Sequence, residues 1–256
     1  MPISRIALQL ALSATVGAGV AMAQGPREND PGVLFSKAYS AYAAGKTGEA
    51  LTGYRAAAEL GHLAAAWKLA RMYESGDGIE RSDAQAFATY REIARRFGDI
   101  RPRDRDAVYV SSAFLRLAHY LREGVDSVTE PNESAARRAY FYAASYFGDA
   151  DAQFELGRMM LAGEGGPRAA RNALRWLNSA AQKGHVGATA RLGAALYYGE
   201  GTEPRRIQGL AMLMRAAAEA REGERNWIEP LRDDALGAST RAIAAEAKSI
   251  NAAEGS

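Results

Sequence analysis

The stretch Ala150-Asp151-Ala152-Gln153-Phe154-Glu155-Leu156-Gly157-Arg158-Met159-Met160-Leu161-Ala162-Gly163-Glu164-Gly165 decides the reading of the chain, because its two marks recur. Leu156-Gly157 precedes Gly163-Glu164-Gly165; Leu69-Ala70 precedes Gly76-Asp77-Gly78; Leu192-Gly193 precedes Gly199-Glu200-Gly201. A further copy keeps Leu117-Ala118 and Gly124 but has Asp126 where the second glycine belongs. A second phrase alternates with the first. It reads Ala56-Ala57-Ala58-Glu59-Leu60-Gly61, and its echoes end at Gly98, Gly148, Gly184 and Arg221, with steps of 37, 50, 36 and 37 residues. Two interleaved patterns within one period mean a repeat architecture.

Each unit reads as two helices. Small and apolar residues recur at steps of three and four, as in Ala66, Leu69, Ala70 and Tyr73, which is one face of a helix. The small residue after each Leu admits a close partner helix. The glycine beyond Tyr73 or Met160 supplies a left-handed cap. The acidic residue between the glycines suits a solvated turn. Pro131, Pro167 and Pro204 sit at or just before second helices, where a missing N–H costs nothing. No helix pair buries its apolar stripe alone, so neighbours stack. The expected fold is all-α, a right-handed α/α superhelical solenoid with five helix pairs over 32–221, the first a weaker match. Residues 222–256 are expected to close the end, with Asn226 capping a helix that begins at Trp227, Pro230 in its first turn, and an Ala-rich helix from Ser239 to Ile250. The 50-residue step places about fourteen extra residues in the third unit. The charged run Asp99–Asp106 and the loop Val125–Asn132 are expected to be exposed and mobile, either solvated connectors or protease-sensitive or partner-contacting segments.

Composition agrees. The chain has 256 residues, 48% hydrophobic and 24% charged, the balance of a globular protein. Fifty-five alanines and only 8 prolines favour helix. Absence of cysteine excludes a thiol nucleophile, a Cys-based metal centre and disulfides. A net charge of +2 gives no electrostatic support to a nucleic-acid partner. Residues 1–23 read as a cleaved signal peptide: Arg5, an apolar stretch from Ile6 to Val20, then Ala21-Met22-Ala23, with cleavage between Ala23 and Gln24. An uncleaved anchor is the alternative, but the apolar run is short for a membrane span. Residues 24–31 read as a flexible N-terminus. The mature protein is expected to be exported.

A search for chemistry yields almost nothing. His62 and His185 share one repeat position, after the signature glycine, which marks architecture. His119 has no His or Cys within helical reach to share a metal. The glycine pairs spell no phosphate-binding motif and follow no strand. There is no G-x-S-x-G, and no carboxylate pair stands out. The chain reads as a non-enzyme with no cofactor, no metal and no small-molecule substrate; its oligomeric state is left open.

The Leu-[Ala/Gly]…Gly-x-Gly…Ala-Ala-x-x-Gly-[His/Asp] pattern over about 62–221 resembles the Sel-one-like repeat family, related to tetratricopeptides. The order of parts resembles most the periplasmic negative regulators of exopolysaccharide production in rhizobia and their relatives (the ExoR type). The stretches that carry this are Leu34-Phe35-Ser36, Tyr39-Ser40-Ala41-Tyr42, Met72-Tyr73, Ala150–Gly166 and Asn226-Trp227-Ile228. By the tetratricopeptide pattern the first helices line a concave groove bearing Trp67, Arg71, Glu74, Leu115, His119, Arg122, Phe154, Arg158 and Tyr197. Trp67 and Phe154 fit packing between helices equally well. The resemblance implies binding to the periplasmic sensing domain of a membrane histidine kinase. That binding represses a two-component system controlling exopolysaccharide production and motility, and cleavage by a periplasmic protease relieves it. A generic periplasmic adaptor for an envelope complex is the other reading.

Overall fold

A computed structural model describes residues 29–254. The expected signal peptide, its Ala23–Gln24 cleavage point and residues 24–28 lie outside the described residues. The described chain forms twelve α-helices and no strand. They are α1 (Pro31–Ala43), α2 (Thr47–Glu59), α3 (Leu63–Ser75), α4 (Asp83–Phe97), α5 (Ala107–Glu123) and α6 (Glu133–Tyr142). A π-turn, Ala143–Phe147, extends α6. There follow α7 (Ala150–Ala162), α8 (Ala170–Gln182), α9 (Val186–Tyr198), α10 (Arg206–Glu219), α11 (Glu222–Gly237) and α12 (Arg241–Glu254). Odd and even members of the first ten pair as antiparallel neighbours and stack in order, an all-α solenoid. First helices of successive units also touch directly, α3 with α5 and α7 with α9. This makes the first-helix row the tighter row.

Local chemistry sets the helix ends. His62, Asp149 and His185 occupy one repeat position and cap α3, α7 and α9. His62 Nδ1 accepts from the Ala65 N–H at 3.2 Å, Asp149 Oδ1 from Ala152 at 2.9 Å and His185 Nδ1 from Ala188 at 3.1 Å. A cap such as Asp149 stabilises by about 1 kcal/mol. At the other end Gly76, Gly163 and Gly199 take left-handed φ of 69°, 81° and 79°.

The second glycine of each pair presses its loop onto the preceding unit. A Cβ on Gly165 would strike the Glu133 carbonyl, at the start of α6, and one on Gly201 would strike Ala170, at the start of α8. The acidic residue between the glycines is not merely solvated. Asp77 accepts from Tyr42, Glu164 from Arg158 and Glu200 from Arg168.

Close helix approach follows from the small residue after each Leu. At Gly157 a Cβ would lie 2.8 Å from Leu177, and at Gly193 2.9 Å from the Gly209 carbonyl. The core repeats accordingly: Tyr54, Tyr90 and Tyr140 are wholly buried in α2, α4 and α6, and Leu177 and Leu213 in α8 and α10.

The connectors have local turns of their own, and the expected cap at Asn226 needs correction. The 99–106 segment carries exposed charges on a backbone that bonds to itself. It turns through the bonds Asp104 N–H to Arg101 and Ala107 N–H to Asp104, at 2.9 and 3.0 Å, and the Tyr142 hydroxyl donates to the Gly98 carbonyl at 2.6 Å. The 125–132 loop closes on itself by a Val125–Thr129 bridge, with Val125 buried. Asn226 caps nothing, since α11 begins at Glu222 and carries Pro230 in its interior. Acidic Glu222 and Glu224 in the first turn favour that earlier start, and the Glu224 carboxylate accepts the Arg221 N–H at 3.3 Å. Pro230 and Asn226 are exposed, so water serves the carbonyl that the proline leaves unbonded.

Candidate protein-binding face

The first helices carry an alternating ladder of charges across three units. On α3, Glu74 takes Arg71 Nε at 3.7 Å and the Tyr90 hydroxyl at 2.9 Å. It also reaches Arg116 of α5 at 3.3 Å. On α7, Glu155 takes Arg122 of α5 at 2.6 Å and Arg158 of its own helix at 3.1 Å. Arg158 then forks onto both oxygens of Glu164 at 3.0 and 3.1 Å. Such two-pronged, charge-assisted bonds fix orientation as well as adding energy. His119 sits between the two bridges, its Nδ1 2.8 Å from the buried Tyr140 hydroxyl. Burial pushes its pKa down; Arg122 and Arg116 add to this, while Glu155 and Glu123 oppose it. The imidazole is therefore held neutral near pH 7. Arg158 loses by burial but gains more from Glu164 and Glu155, so its charge is secured.

Aromatic rings border the ladder. Trp67 lies 5.3 Å from Tyr109, donates its indole N–H to Ser112 at 3.0 Å and has Arg71 5.7 Å from its ring. Phe154 stacks on His185 at 4.5 Å and faces Trp227 of α11 at 6.4 Å. Both rings are half-buried and pack between helices, with one edge on the face.

Of the nine residues that the sequence pointed to, Trp67, Arg71, Glu74, His119, Arg122, Phe154 and Arg158 thus lie along one face. Leu115 and Tyr197 do not. Leu115 is buried in the core cluster of Ala136, Ala139, Ala152 and Leu156. Tyr197 is 3% exposed because α11 and α12 cover the last unit, and its hydroxyl meets Ser239 at 2.8 Å. Sequence reasoning missed Arg116, Glu155, Glu164 and Arg191. The signal was available: Arg116, Glu155 and Arg191 all immediately precede the aligned leucines. Among the described residues no group of three His, Asp or Glu side chains is placed to hold a metal. No described helix is long and apolar enough to cross a membrane.

The chain is 38% identical to the exopolysaccharide production negative regulator of Rhizobium meliloti, over 92% of this chain and 87% of that one. It is 37% identical to the protein of the same name from Rhizobium leguminosarum bv. viciae, over 96% and 90%. The chain belongs to their family. Its units match the Sel1 repeat at residues 63–95, 150–185 and 186–220, the stretches that form α3–α4, α7–α8 and α9–α10. Solved structures share the fold. One is a Sel1 repeat protein from Oxalobacter formigenes, with a TM-score of 0.63 and 23% identity, covering 77% of this chain and 74% of that one. Another is a protective antigen of uropathogenic Escherichia coli with an SLR fold, with a TM-score of 0.68 and 24% identity over 88% of this chain. This chain spans 45% of that antigen's length. The family's Sel1 architecture accounts for why the ladder can cross units: each repeat presents its first helix to the same side.

Proposed function

We propose that this protein is a periplasmic repressor. It binds the sensing domain of a membrane histidine kinase and holds a two-component system for exopolysaccharide production and motility in its off state, and proteolysis removes it. The observation that carries this reading is similarity over nearly the whole chain to two proteins named as negative regulators of exopolysaccharide production. The ladder supports it, since a face of arginines and aromatic rings is the composition of interface anchors. Repression requires only that the protein bind one kinase state better than the other. A thousandfold preference corresponds to about 4 kcal/mol. Export with cleavage after Ala23 belongs to the same proposal, and the mass of the mature protein from cell envelopes tests it.

The binding test is a pull-down of residues 24–256 against the kinase's periplasmic domain, at neutral and acid pH, with Arg71→Glu as the probe of the face. Arg71 is suitable because its side chain is 39% exposed, and circular dichroism checks that the reversal keeps the fold. Micromolar binding weakened by the variant supports the repressor. Absence of binding at both pH values leaves an envelope adaptor as the better reading.

A further inference from the structure

The ladder is unfinished at its C-terminal end. Between α3 and α5 one glutamate, Glu74, bridges Arg71 and Arg116. Between α5 and α7 another, Glu155, bridges Arg122 and Arg158. At the next step, α7 to α9, the register position held by Glu155 is Arg191. No acid bridges Arg158 to it.

Arg191 is half-buried and, among the described residues, makes no hydrogen bond or ion pair. Its Nε is buried with no partner. Its one packing partner of note is the Trp227 ring, 5.1 Å from the guanidinium. Burial and repulsion from Arg158 push its pKa down, and Glu200, which is engaged with Arg168, offsets this only in part. The other acid on this side, Asp151, is exposed and directed to His185 at 3.5 Å. A guanidinium partly withdrawn from water without an anion beside it is costly. It is retained most simply where an anion arrives from outside.

We propose that Arg191, with Arg158 beside it and Trp227 beneath it, receives an aspartate or glutamate carboxylate from an acidic segment of the bound protein, supplying the third bridge. The carboxylate is favoured over other anions because the molecule itself solves the two preceding steps with glutamate. The guanidinium fork matches that group's two oxygens. This rests on the reading that the chain docks to a protein.

The test uses residues 24–256 at low ionic strength and follows tryptophan fluorescence, with Trp227 as reporter. The probes are an acetylated, amidated hexaglutamate peptide, the matching hexaglutamine peptide and inorganic phosphate. The expected result is saturable binding of hexaglutamate alone. Arg191→Gln should weaken it at least tenfold, as loss of a charged hydrogen bond does, whereas the exposed Arg171→Gln should leave it unchanged. Equal binding by Arg191→Gln, no hexaglutamate binding, or phosphate saturating as well as the peptide overturns the proposal. A second measurement needs no ligand. Arg191→Met removes an uncompensated charge, so the free protein should melt about 2 to 4 °C higher; a lower melting temperature would show a structural arginine and overturn the proposal. The kinase domain separates the two readings. If it binds wild type and Arg191→Gln equally, this inference fails alone. If it binds neither, the repressor reading fails while the peptide titration still decides the carboxylate site.

Discussion

The fourth and fifth units and the third unit stack by different means. In α7–α10 neighbouring units meet through backbone. Glycine loops press onto a helix start of the preceding unit, and within each unit Gly157 and Gly193 leave the partner helix the space that a Cβ would fill. The third unit lacks the second glycine, and its loop forms a separate small hairpin around Val125 and Thr129. Aromatic bulk substitutes. Phe114 packs 4.5 Å from Tyr142 and 6.3 Å from Phe147, and Tyr142 stacks on Tyr146 at 5.3 Å. The π-turn at Ala143–Phe147 inserts the extra residue that brings these rings together. The same architecture therefore tolerates two solutions, one requiring the absence of side chains and the other requiring large ones.

The largest effect should come from the backbone solution. Gly165→Ala places a Cβ against a rigid carbonyl at φ of 66°, so we expect a loss of about 3 kcal/mol, read by urea unfolding. Asp126→Gly, at the equivalent place in the third unit, should change stability by less than about 0.5 kcal/mol. A comparable loss at both positions would erase the contrast. Phe114→Ala should cost about 2 kcal/mol, below the range for a wholly buried ring because Phe114 keeps some exposure; calorimetry checks this, and a neutral result would mean the aromatic cluster does not hold the unit.

His119 sharpens the comparison at the seam of the third and fourth units. Its folded pKa lies below its ordinary value. The unfolded chain therefore binds the proton first, and stability present above about pH 6.5 declines as pH falls toward the folded pKa. His119→Gln should flatten this slope by no more than about 1 kcal/mol between pH 7.5 and 5.5, measured by denaturant melts; an unchanged slope would place the titration elsewhere. A purely local effect is expected of Tyr142→Phe, which frees the Gly98 carbonyl. A lost hydrogen bond of about 1 kcal/mol should raise tryptic cleavage after Arg103 or Arg105 about fivefold. Cleavage at the wild-type rate would mean the charged link is held by its own turns.

Much of the fold was legible in the chain. Helix ends at Gly76, Gly163 and Gly199, the shared position of His62 and His185, and the small residues after each Leu are local marks whose physics acts within a few residues. The C-terminal cap was misread at Asn226 because the proline was taken as a start signal, whereas an exposed helix face carries Pro230 in mid-course. The face was only partly legible. The tetratricopeptide pattern placed Arg71, Glu74, His119 and Arg158 on one side, but it could not show that Leu115 turns inward or that α11 and α12 bury Tyr197.

The sequence by itself determined the helix-pair repeat, its period and the register of each first helix, since steps of three and four residues and left-handed glycines are local conditions. Only the tertiary structure decided which charges meet. Glu74 with Arg116, and Arg122 with Glu155, lie 42 and 33 residues apart. They come within reach only because stacking sets successive units side by side, α4 against α5 and α6 against α7. A salt bridge between units depends on the distance and rotation between helices, and those are set by the summed packing of alanines, glycines and rings along the whole interface.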